Sequence, residues 1–420
     1  MIQELKVRNY LSIKDEVRIS FDASNDTFAE DYQVVKVNEQ TRLLRFAVIY
    51  GYNASGKTNI FDAFCFLALF LKHKPESINE KTGIVPFMLD ADSRKSPSFL
   101  ELTFFVDDLK YKYSLEIDEK QVYLESLSVY NSVQPTLLFK RTLEGDRSKI
   151  EINPKLKVSK SAKEALEANC LKNMSFFVAR DMVNGLFPFI DDAARWFKES
   201  GLHAINKDIN LTTFAKKKIK KSIEVKRNAL EMLKGADFNI EDIDIEEEFM
   251  PDELLKKVPV EWKKLIEGKD RVSRLKAIFH HYVENDDGKK LYALEEEVES
   301  LGTLRSLGLN VALYDAAQNE SFLAIDEIEN SLHPYLLQSL LYNFLKKNSK
   351  SQLFITTHYD GLLDLTDDLI RKDSVWFVEK NKAGESDFYK LTDFKGINRI
   401  SSIRSAYRNK RFGATQFSVK

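Results

Sequence analysis

The sequence predicts an α/β protein with a mostly parallel core sheet, an N-terminal antiparallel β subdomain and a helical insertion. Within residues 1–155, apolar and polar side chains alternate, as over Tyr111–Ile117, which is typical of antiparallel strands with one buried face. Residues 156–290 are instead rich in Lys, Glu, Ala and Leu at helical spacing. In residues 291–420, short apolar runs alternate with helical patterns, which favours a parallel sheet covered on both faces. We therefore expect one domain that is split by the helical insertion.

The composition describes a soluble globular chain of 420 residues, of which 43% are hydrophobic and 30% are charged. A net charge of −2 gives no global attraction to nucleic acid, so any such contact must come from a local patch. The longest apolar run, Ala63–Leu71, is too short to span a membrane. Cys65 and Cys170 make neither a disulfide framework nor a zinc site. These observations predict a cytoplasmic protein without a membrane partner.

The most specific motif is Gly51–Thr58, which fits the pattern G-x-x-x-x-G-K-[ST] of a phosphate-binding loop. An apolar run, Phe46–Tyr50, precedes it as a buried strand, and a helical pattern, Asn59–Leu71, follows it. Such a loop directs backbone N–H groups at a phosphate, and the helix N-terminus adds positive potential. Lys57 is expected to reach the β- and γ-phosphates, and Thr58 to offer its hydroxyl to Mg²⁺. The predicted nucleotide-binding residues are Gly51, Asn53, Ala54, Ser55, Gly56, Lys57, Thr58 and Asn59.

Two carboxylates follow a second apolar strand, Phe322–Ile325. Beside a phosphate-binding loop, Asp326 can hold Mg²⁺ through water, and Glu327 can polarise the attacking water as a general base. Taken alone, an apolar run followed by Asp-Glu more often marks a strand that runs out into solvent. The phosphate-binding loop favours the catalytic interpretation.

A histidine follows a third apolar strand, which starts at Leu353. Parallel sheets place their ligands at the carboxyl ends of strands, so His358 can donate a hydrogen bond to a γ-phosphate. A lone histidine is more often structural, but its place after the other two motifs favours function. The predicted catalytic residues are Glu327, His358 and Lys57, and the predicted metal ligands are Thr58 and Asp326.

A fourth segment, Glu299–Thr303, precedes the acidic strand by one helix length. Ser300 and Gly302 at a helix start can present a hydroxyl and bare N–H groups to a phosphate. An ordinary serine N-cap explains the same residues equally well, so the spacing alone leaves both interpretations open.

Together, in this order, the four segments resemble ATP-binding cassette (ABC) ATPases of the chromosome-maintenance and recombination-repair type. Gly51–Thr58 resembles Walker A, Glu299–Thr303 a degenerate signature motif, Asp326 and Glu327 Walker B, and His358 the switch histidine. More narrowly, the chain resembles the bacterial AAA-fifteen ATPases of phage-defence and abortive-infection operons. Further segments that carry this narrower resemblance are Asn9–Ile13, Ala236–Ile240, Asp326–Pro334 and Arg411–Ala414. In the broader resemblance, Ser331–Pro334 is similar to the D-loop that follows Walker B.

The resemblance implies an ABC-type ATPase head, with ATP and Mg²⁺ as cofactors and a homodimer or higher homo-oligomer formed through a nucleotide sandwich. Ser300, Gly302 and Thr303 of one protomer would then close over the γ-phosphate that Lys57 of the other protomer holds. The chain departs from the family pattern in two places. The signature has Thr303 where the family has a second glycine, and no Q-loop glutamine is evident, since Gln121 lies in a later strand.

Three further segments of the sequence are rich in charged residues. The lysine run 216–221 and a C-terminal basic face are either solvated surfaces or contacts for nucleic acid or an acidic partner. Residues 241–248 form an acidic counterpart. The C-terminal face comprises Arg399, Arg404, Arg408, Lys410 and Arg411, with Tyr407 and Phe412 between them as core or base-stacking residues.

The sequence shows no second active site, since 62 residues follow His358 and none of them form the Asp-x-Asp of a Toprim nuclease. We therefore expect a dimeric ATP-hydrolysing sensor or switch of a bacterial anti-phage defence system, which controls an effector protein, a nuclease acting in trans. The alternative is a DNA-repair or chromosome-maintenance ATPase that acts directly on DNA, which requires a long coiled coil. A third interpretation is a nucleotide-gated scaffold without turnover.

Overall fold

A computed structural model describes residues 1–199, 201–235, 239–249, 273–285 and 288–415. The strands are β1 (Ile2–Arg8), β2 (Val17–Ser20), β3 (Val34–Lys36), β4 (Arg42–Leu44), β5 (Phe46–Tyr50), β6 (Ser98–Val106), β7 (Leu109–Ile117), β8 (Val122–Tyr130), β9 (Thr136–Glu144), β10 (Arg147–Ile152), β11 (Leu202–Ile205), β12 (Ile240–Phe249), β13 (Ser273–Asn285), β14 (Gly288–Glu295), β15 (Phe322–Ile325), β16 (Gln352–Thr357), β17 (Val375–Lys380) and β18 (Ser386–Lys390). The helices are α1 (Glu30–Gln33), α2 (Lys57–Phe70), α3 (Lys160–Asn169), α4 (Phe176–Asp181), α5 (Ile190–Glu199), α6 (Thr212–Lys221), α7 (Ile223–Gly235), α8 (Leu301–Gln318), α9 (Pro334–Leu345) and α10 (Ile403–Arg408).

A seven-stranded antiparallel sheet has the order β10-β9-β8-β7-β6-β1-β2. Its strands alternate between buried and more exposed residues, as the sequence pattern predicts, because one face packs on an apolar core. Aromatic side chains of α4 and α5 cover that face, and Trp196 stacks on Phe104 at 4.4 Å between ring centroids. The N-terminal antiparallel β structure expected from residues 1–155 is therefore present.

A six-stranded sheet has the order β11-β15-β16-β5-β17-β18 and carries the motifs. Each neighbouring pair from β11 to β17 is parallel, and only β18 pairs antiparallel with β17. Residues Phe46–Tyr50, Phe322–Ile325 and Gln352–Thr357 are buried throughout, which explains the apolar runs that they contain. Because these strands are parallel, the segments that follow them emerge at one edge of the sheet.

The helical character expected of residues 156–290 holds only in part. This segment contains α3 to α7, but it also supplies β11 to the six-stranded sheet and forms most of a three-stranded antiparallel sheet, β12-β13-β14. Strand β11 could not be predicted from the sequence, because periodicity cannot assign an apolar run of four residues. Strand β12 was not predicted because acidic residues, which are depleted in strands, occupy much of it.

The chain divides into two compact units. The first comprises Met1–Lys207, Ala316–Glu329 and Leu345–Lys420, and contains the six-stranded and seven-stranded sheets. The second comprises Asp208–Asp315 and Asn330–Phe344, and contains the three-stranded sheet. The sequence-based division at residues 155 and 290 stays a prediction. Among the described residues, we find no helix with the length and apolar character needed to traverse a bilayer.

Candidate functional site

The phosphate-binding loop connects β5 to α2, as its sequence context predicts. Ala54 and Gly56 have positive φ angles of 65° and 112°, so the loop turns sharply before the helix begins. A Cβ at Gly56 would lie 2.2 Å from Oγ of Ser386, and one at Gly51 would lie 2.4 Å from Oγ of Ser55. Both glycines are therefore required by close packing, and Gly56 also by its backbone conformation.

Serine hydroxyls hold the loop in place from neighbouring elements. Ser386 Oγ, at the start of β18, donates to the carbonyl of Ser55 at 2.6 Å and lies 2.6 Å from Oγ of Ser12. The side-chain amide of Asn59 donates to the same Ser12 hydroxyl. Ser55 has a buried hydroxyl without a hydrogen-bond partner among the described residues, and it lines the adjoining cavity. A buried polar atom of this kind fits a bound ligand.

Lys57 begins α2 and folds back over the loop. Its ammonium donates to the carbonyl of Gly51 at 2.8 Å and lies 3.3 Å from the carbonyl of Tyr52 and from Nδ1 of His358. Burial lowers the pKa of Lys57 to about 8. Burial, followed by the charge of Lys57, also lowers the pKa of His358. A polyanion in this position would stabilise the charged form of Lys57.

Thr58 and Asp326 face each other across the ends of α2 and β15. The Thr58 hydroxyl lies 3.3 and 3.4 Å from the two carboxylate oxygens of Asp326, and the Thr356 hydroxyl donates to Oδ1 of Asp326 at 2.6 Å. Burial raises the pKa of Asp326, since the site disfavours its charge. A hydroxyl and a buried carboxylate are hard oxygen donors, which fit Mg²⁺.

Glu327 follows Asp326 in a left-handed conformation, with φ of 42°. Such a conformation is strained for glutamate, and its backbone N–H is fixed by a 2.8 Å hydrogen bond to Oγ1 of Thr356. One carboxylate oxygen, Oε1, lies 3.1 Å from Nζ of Lys207 and 3.8 Å from Nε2 of His358. The backbone thus presents the second carboxylate of the motif to the histidine and to an additional lysine.

Glu329 links the acidic loop to the histidine loop. Its carboxylate accepts hydrogen bonds from Oγ1 of Thr357 at 2.8 Å and from the backbone N–H of His358 at 2.5 Å. Glu329 therefore fixes the backbone from which His358 projects.

One cavity, with a volume of about 530 Å³, brings most of these groups together. Its lining residues are Asn53, Ala54, Ser55, Gly56, Lys57, Thr58, Asn59, Lys207, Glu327, His358 and Lys380. Asp326 contacts the hydroxyl of Thr58, and the carbonyl of Gly51 accepts a hydrogen bond from Lys57. The loop, the two carboxylates and the histidine that the sequence singles out thus lie at or next to this cavity.

The signature segment lies in the second unit and is not part of the cavity lining found in the described chain. Ser300 precedes α8, and its hydroxyl accepts from the backbone N–H of Thr303 at 3.0 Å and lies 2.8 Å from the Thr303 hydroxyl. This is N-cap geometry. Ser300 is exposed and Thr303 is buried, and a Cβ at Gly302 would lie 3.3 Å from the carbonyl of Ser331.

Sequence reasoning missed four residues of the site: Lys207, Glu329, Thr356 and Lys380. The available signals were weak. Lys207 follows the short apolar run of β11, and Lys380 ends β17, so each lies at the carboxyl end of a parallel strand. Gln121, in contrast, directly precedes β8 of the antiparallel sheet and is absent from the cavity lining of the described chain.

Several residues of the charged segments form ion pairs. In the lysine run, Lys216 contacts Glu296 at 2.6 Å, and Lys220 contacts Glu247 of the acidic segment at 2.7 Å. At the C-terminal face, Arg404 and Arg408 both contact Asp360. Tyr407 and Phe412 stack on Phe377 in an aromatic core, at 5.4 and 5.5 Å between ring centroids. Of the segment 236–240, residues 236–238 lie outside the described residues.

Comparisons with known proteins give one family and a set of remotely similar solved structures, including the two that follow. The chain is similar to the SMC head domain from Thermotoga maritima, with 14% identity, a TM-score of 0.42 and coverage of 93% of this chain and 98% of the other. A crystal structure of the SmcHead bound to the C-winged helix domain of ScpA shows 14% identity, a TM-score of 0.44 and coverage of 93% and 99%. No curated protein matches the chain.

A family model described as "AAA domain, putative AbiEii toxin, Type IV TA system" matches residues 46–167 and 197–364. The matched ranges make up more than half of the chain. They include the loop at Gly51–Thr58, the signature segment, both carboxylates at Asp326 and Glu327, and His358. The chain therefore belongs to this family of AAA domains.

Proposed function

We propose that the protein is an ABC-type ATPase that binds Mg²⁺-ATP in the 530 Å³ cavity and hydrolyses it. The observation that carries this proposal is the convergence of Lys57, Thr58, Glu327 and His358 on one cavity at the carboxyl edge of a parallel sheet. Lys57 and the backbone N–H groups of the loop bind the phosphates. Thr58 and Asp326 hold Mg²⁺, which when bound neutralises charge on the phosphate oxygens.

In the hydrolytic step, Glu327 accepts a proton from water while the water oxygen bonds to the γ-phosphorus and the bond to the ADP oxygen breaks. The strained backbone at Glu327 and its bond to Thr356 direct the carboxylate into the cavity. His358 donates a hydrogen bond to the γ-phosphate, and Glu329 holds its backbone. Lys57 stabilises the negative charge that accumulates on the leaving oxygen.

Ser300, Gly302 and Thr303 act, in this proposal, on the nucleotide of a second protomer. The exposed start of α8, an 18-residue helix, presents N–H groups and a serine hydroxyl that suit a phosphate. Gly302 leaves its backbone accessible because it has no side chain. A homodimer with two such composite sites accounts for both the cavity and the signature segment.

The biological role we propose is that of a cytoplasmic switch in anti-phage defence, which controls an effector protein in trans. The family description, which reads "putative AbiEii toxin, Type IV TA system", supports this role. The ion pairs of Lys216 with Glu296 and of Lys220 with Glu247 weigh against nucleic acid as the partner of the lysine run, since paired lysines release fewer counterions. The alternative, a DNA-repair or chromosome-maintenance ATPase, needs a long coiled coil, but within the described part of 156–290 the longest helix has 13 residues.

The test of the enzymatic proposal compares the wild-type protein with Lys57→Ala. Titration calorimetry with ATP and Mg²⁺, and phosphate release, should show binding and turnover in the wild type and neither in the variant. Lys74→Ala, which removes an exposed lysine after α2, serves as the control and should match the wild type. Equal ATP affinity in Lys57→Ala would contradict the assignment of the loop.

A further inference from the structure

Lys207 is placed beside Glu327 by the register of two parallel strands. Ile205 of β11 pairs with Ile325 of β15, and the carbonyl of Ile205 accepts a 3.0 Å hydrogen bond from the backbone N–H of Asp326. Lys207 and Glu327 each lie two residues beyond this pair. Their proximity therefore follows from the register of the two strands that they follow.

The contact itself joins Nζ of Lys207 to Oε1 of Glu327 at 3.1 Å. The two side chains are 40% and 26% exposed, and an ion pair this accessible to water contributes little to the stability of the fold. Both residues line the cavity that contains Lys57 and His358. The pair thus has little structural value but lies where a terminal phosphate and an attacking water must meet.

We propose that Lys207 is a γ-phosphate ligand which Glu327 holds in the nucleotide-free protein, and that ATP binding transfers Lys207 from Glu327 to the γ-phosphate. This inference rests on the proposed ATPase function and deepens it. The exchange frees Oε1 of Glu327 to accept the proton of the attacking water. Without a γ-phosphate, Lys207 returns to Glu327 and the general base is occupied again.

The chemistry of the two partners explains why the exchange depends on the nucleotide. A terminal phosphate carries more negative charge than a carboxylate and offers three oxygens to an ammonium. ADP has no phosphate at the γ position, so it leaves the Lys207–Glu327 pair intact. Lys207 should therefore contribute to the affinity for ATP and not to the affinity for ADP.

A competing explanation is that Lys207 only positions Glu327 for catalysis. In that case removal of Lys207 lowers kcat and leaves nucleotide discrimination unchanged. In the exchange that we propose, Lys207 binds the γ-phosphate in the ground state and the transition state alike. Its removal then raises KM and leaves kcat nearly unchanged.

The experiment measures Kd values for ADP and for the non-hydrolysable analogue AMP-PNP, with Mg²⁺, by titration calorimetry. Lys207→Met should weaken AMP-PNP binding about tenfold, the value of one charge-assisted hydrogen bond, with ADP binding unchanged. Lys207→Arg should restore the preference for AMP-PNP. Lys380→Met, which removes a different lysine from the lining of the same cavity, should change both Kd values by the same factor.

Coupling to Glu327 is tested in the same assay. Glu327→Gln removes the carboxylate that competes with the γ-phosphate for Lys207, so it should increase the preference for AMP-PNP, and this increase should be smaller in the Lys207→Met background. The exchange would be overturned if Glu327→Gln increased the preference equally in both backgrounds. It would also be overturned if Lys207→Met discriminated between AMP-PNP and ADP as the wild type does, or if Lys207→Met lost kcat with KM unchanged. Retained ADP binding separates these outcomes from failure of the nucleotide site, in which neither the wild type nor any variant binds nucleotide.

Discussion

Two helix N-termini of this chain were predicted from the sequence to contact phosphate, and they differ in how complete their surroundings are. At the start of α2, Gly56 and Lys57 belong to a cavity whose carbonyls, hydroxyls and carboxylates all come from the same compact unit. At the start of α8, Ser300 is exposed and its hydroxyl contacts Thr303 of the same helix. Both helices offer the same partial charge to an anion, but among the described residues the candidate nucleotide-binding groups surround only the first.

The difference shows what each motif can do by itself. The α2 region contains its own cation, candidate general base and candidate metal ligands, so one protomer should be sufficient to bind ATP. The α8 region has the properties of an N-cap within its own unit, so any catalytic role requires a nucleotide from another protomer. Substitutions in the two regions should therefore distinguish ATP binding by one protomer from closure of two protomers over the nucleotide.

The largest effect is expected at Glu327. Glu327→Gln should retain ATP binding and lose turnover by roughly 10²–10⁴-fold, because the amide cannot accept the proton of the attacking water. Single-turnover phosphate release measures the loss, and size-exclusion chromatography with ATP should show an accumulated dimer. Glu329 is a second glutamate of the same loop, so Glu329→Gln is the matched control. Glu329→Gln should reduce turnover less, because the Glu329 carboxylate accepts a hydrogen bond from the backbone N–H of His358 and is not the group assigned to the attacking water.

Undiminished hydrolysis in Glu327→Gln would place the general base elsewhere in the cavity. A turnover loss in Glu329→Gln that equals the loss in Glu327→Gln would make the two carboxylates functionally equivalent. Either result would contradict the complete site that we assign to the α2 region.

The next prediction tests the α8 region. Gly302→Glu should lower turnover strongly, though less than Glu327→Gln does, and leave ATP affinity unchanged, because the new carboxylate blocks approach to a second protomer's γ-phosphate. Mixing Gly302→Glu protomers with Lys57→Ala protomers should restore up to one working site per mixed dimer. Phosphate release from the mixture, compared with each variant alone, is the measurement. An inactive mixture in which mixed dimers are demonstrated would show that the two regions do not act in trans.

The sequence predicted the α2 region well because its motif is contiguous and its strand and helix are adjacent in the chain. The positions of Asp326, Glu327 and His358 were predictable for a related reason, since each follows an apolar run that becomes a parallel strand. Their position at one edge follows from the parallel sheet. The mostly parallel core and the antiparallel N-terminal sheet were predictable from the same patterns.

Lys207 and Glu329 were not predictable, because their places in the site arise from contacts between distant segments. Lys207 reaches Glu327 only because β11, a four-residue strand within a helical stretch, pairs beside β15. Glu329 acquires its contacts through Thr357 and His358 on another strand and its loop. The lysine run was visible as a charge pattern, but its partners lie far along the chain and could not be inferred from spacing.

A smaller effect follows from the lowered pKa of Lys57. Below pH 8 the ammonium is already charged, and above pH 8 ATP binding must take up a proton, because the phosphates favour the charged form. ATP affinity should therefore fall about tenfold between pH 7 and pH 9, in line with one proton per site. Calorimetry at pH 9 in buffers of different ionisation enthalpy should report uptake of nearly one proton. A constant affinity over this range would mean that Lys57 is charged throughout.

The smallest effect is expected at Ser300, where an N-cap and a phosphate ligand predict different results. Ser300→Ala removes the cap and should cost about 1 kcal/mol of unfolding free energy, whereas Ser300→Asp keeps a cap acceptor and should cost much less. If Ser300 serves only as a cap, ATPase activity should follow stability, and Ser300→Asp should be the more active variant. If Ser300 faces a partner's γ-phosphate, Ser300→Asp should be the less active one, because its carboxylate repels the phosphate while the helix stays capped. Thermal unfolding and phosphate release on the same two variants decide between these interpretations, and the ranking of their activities shows whether the α8 region does more than begin a helix.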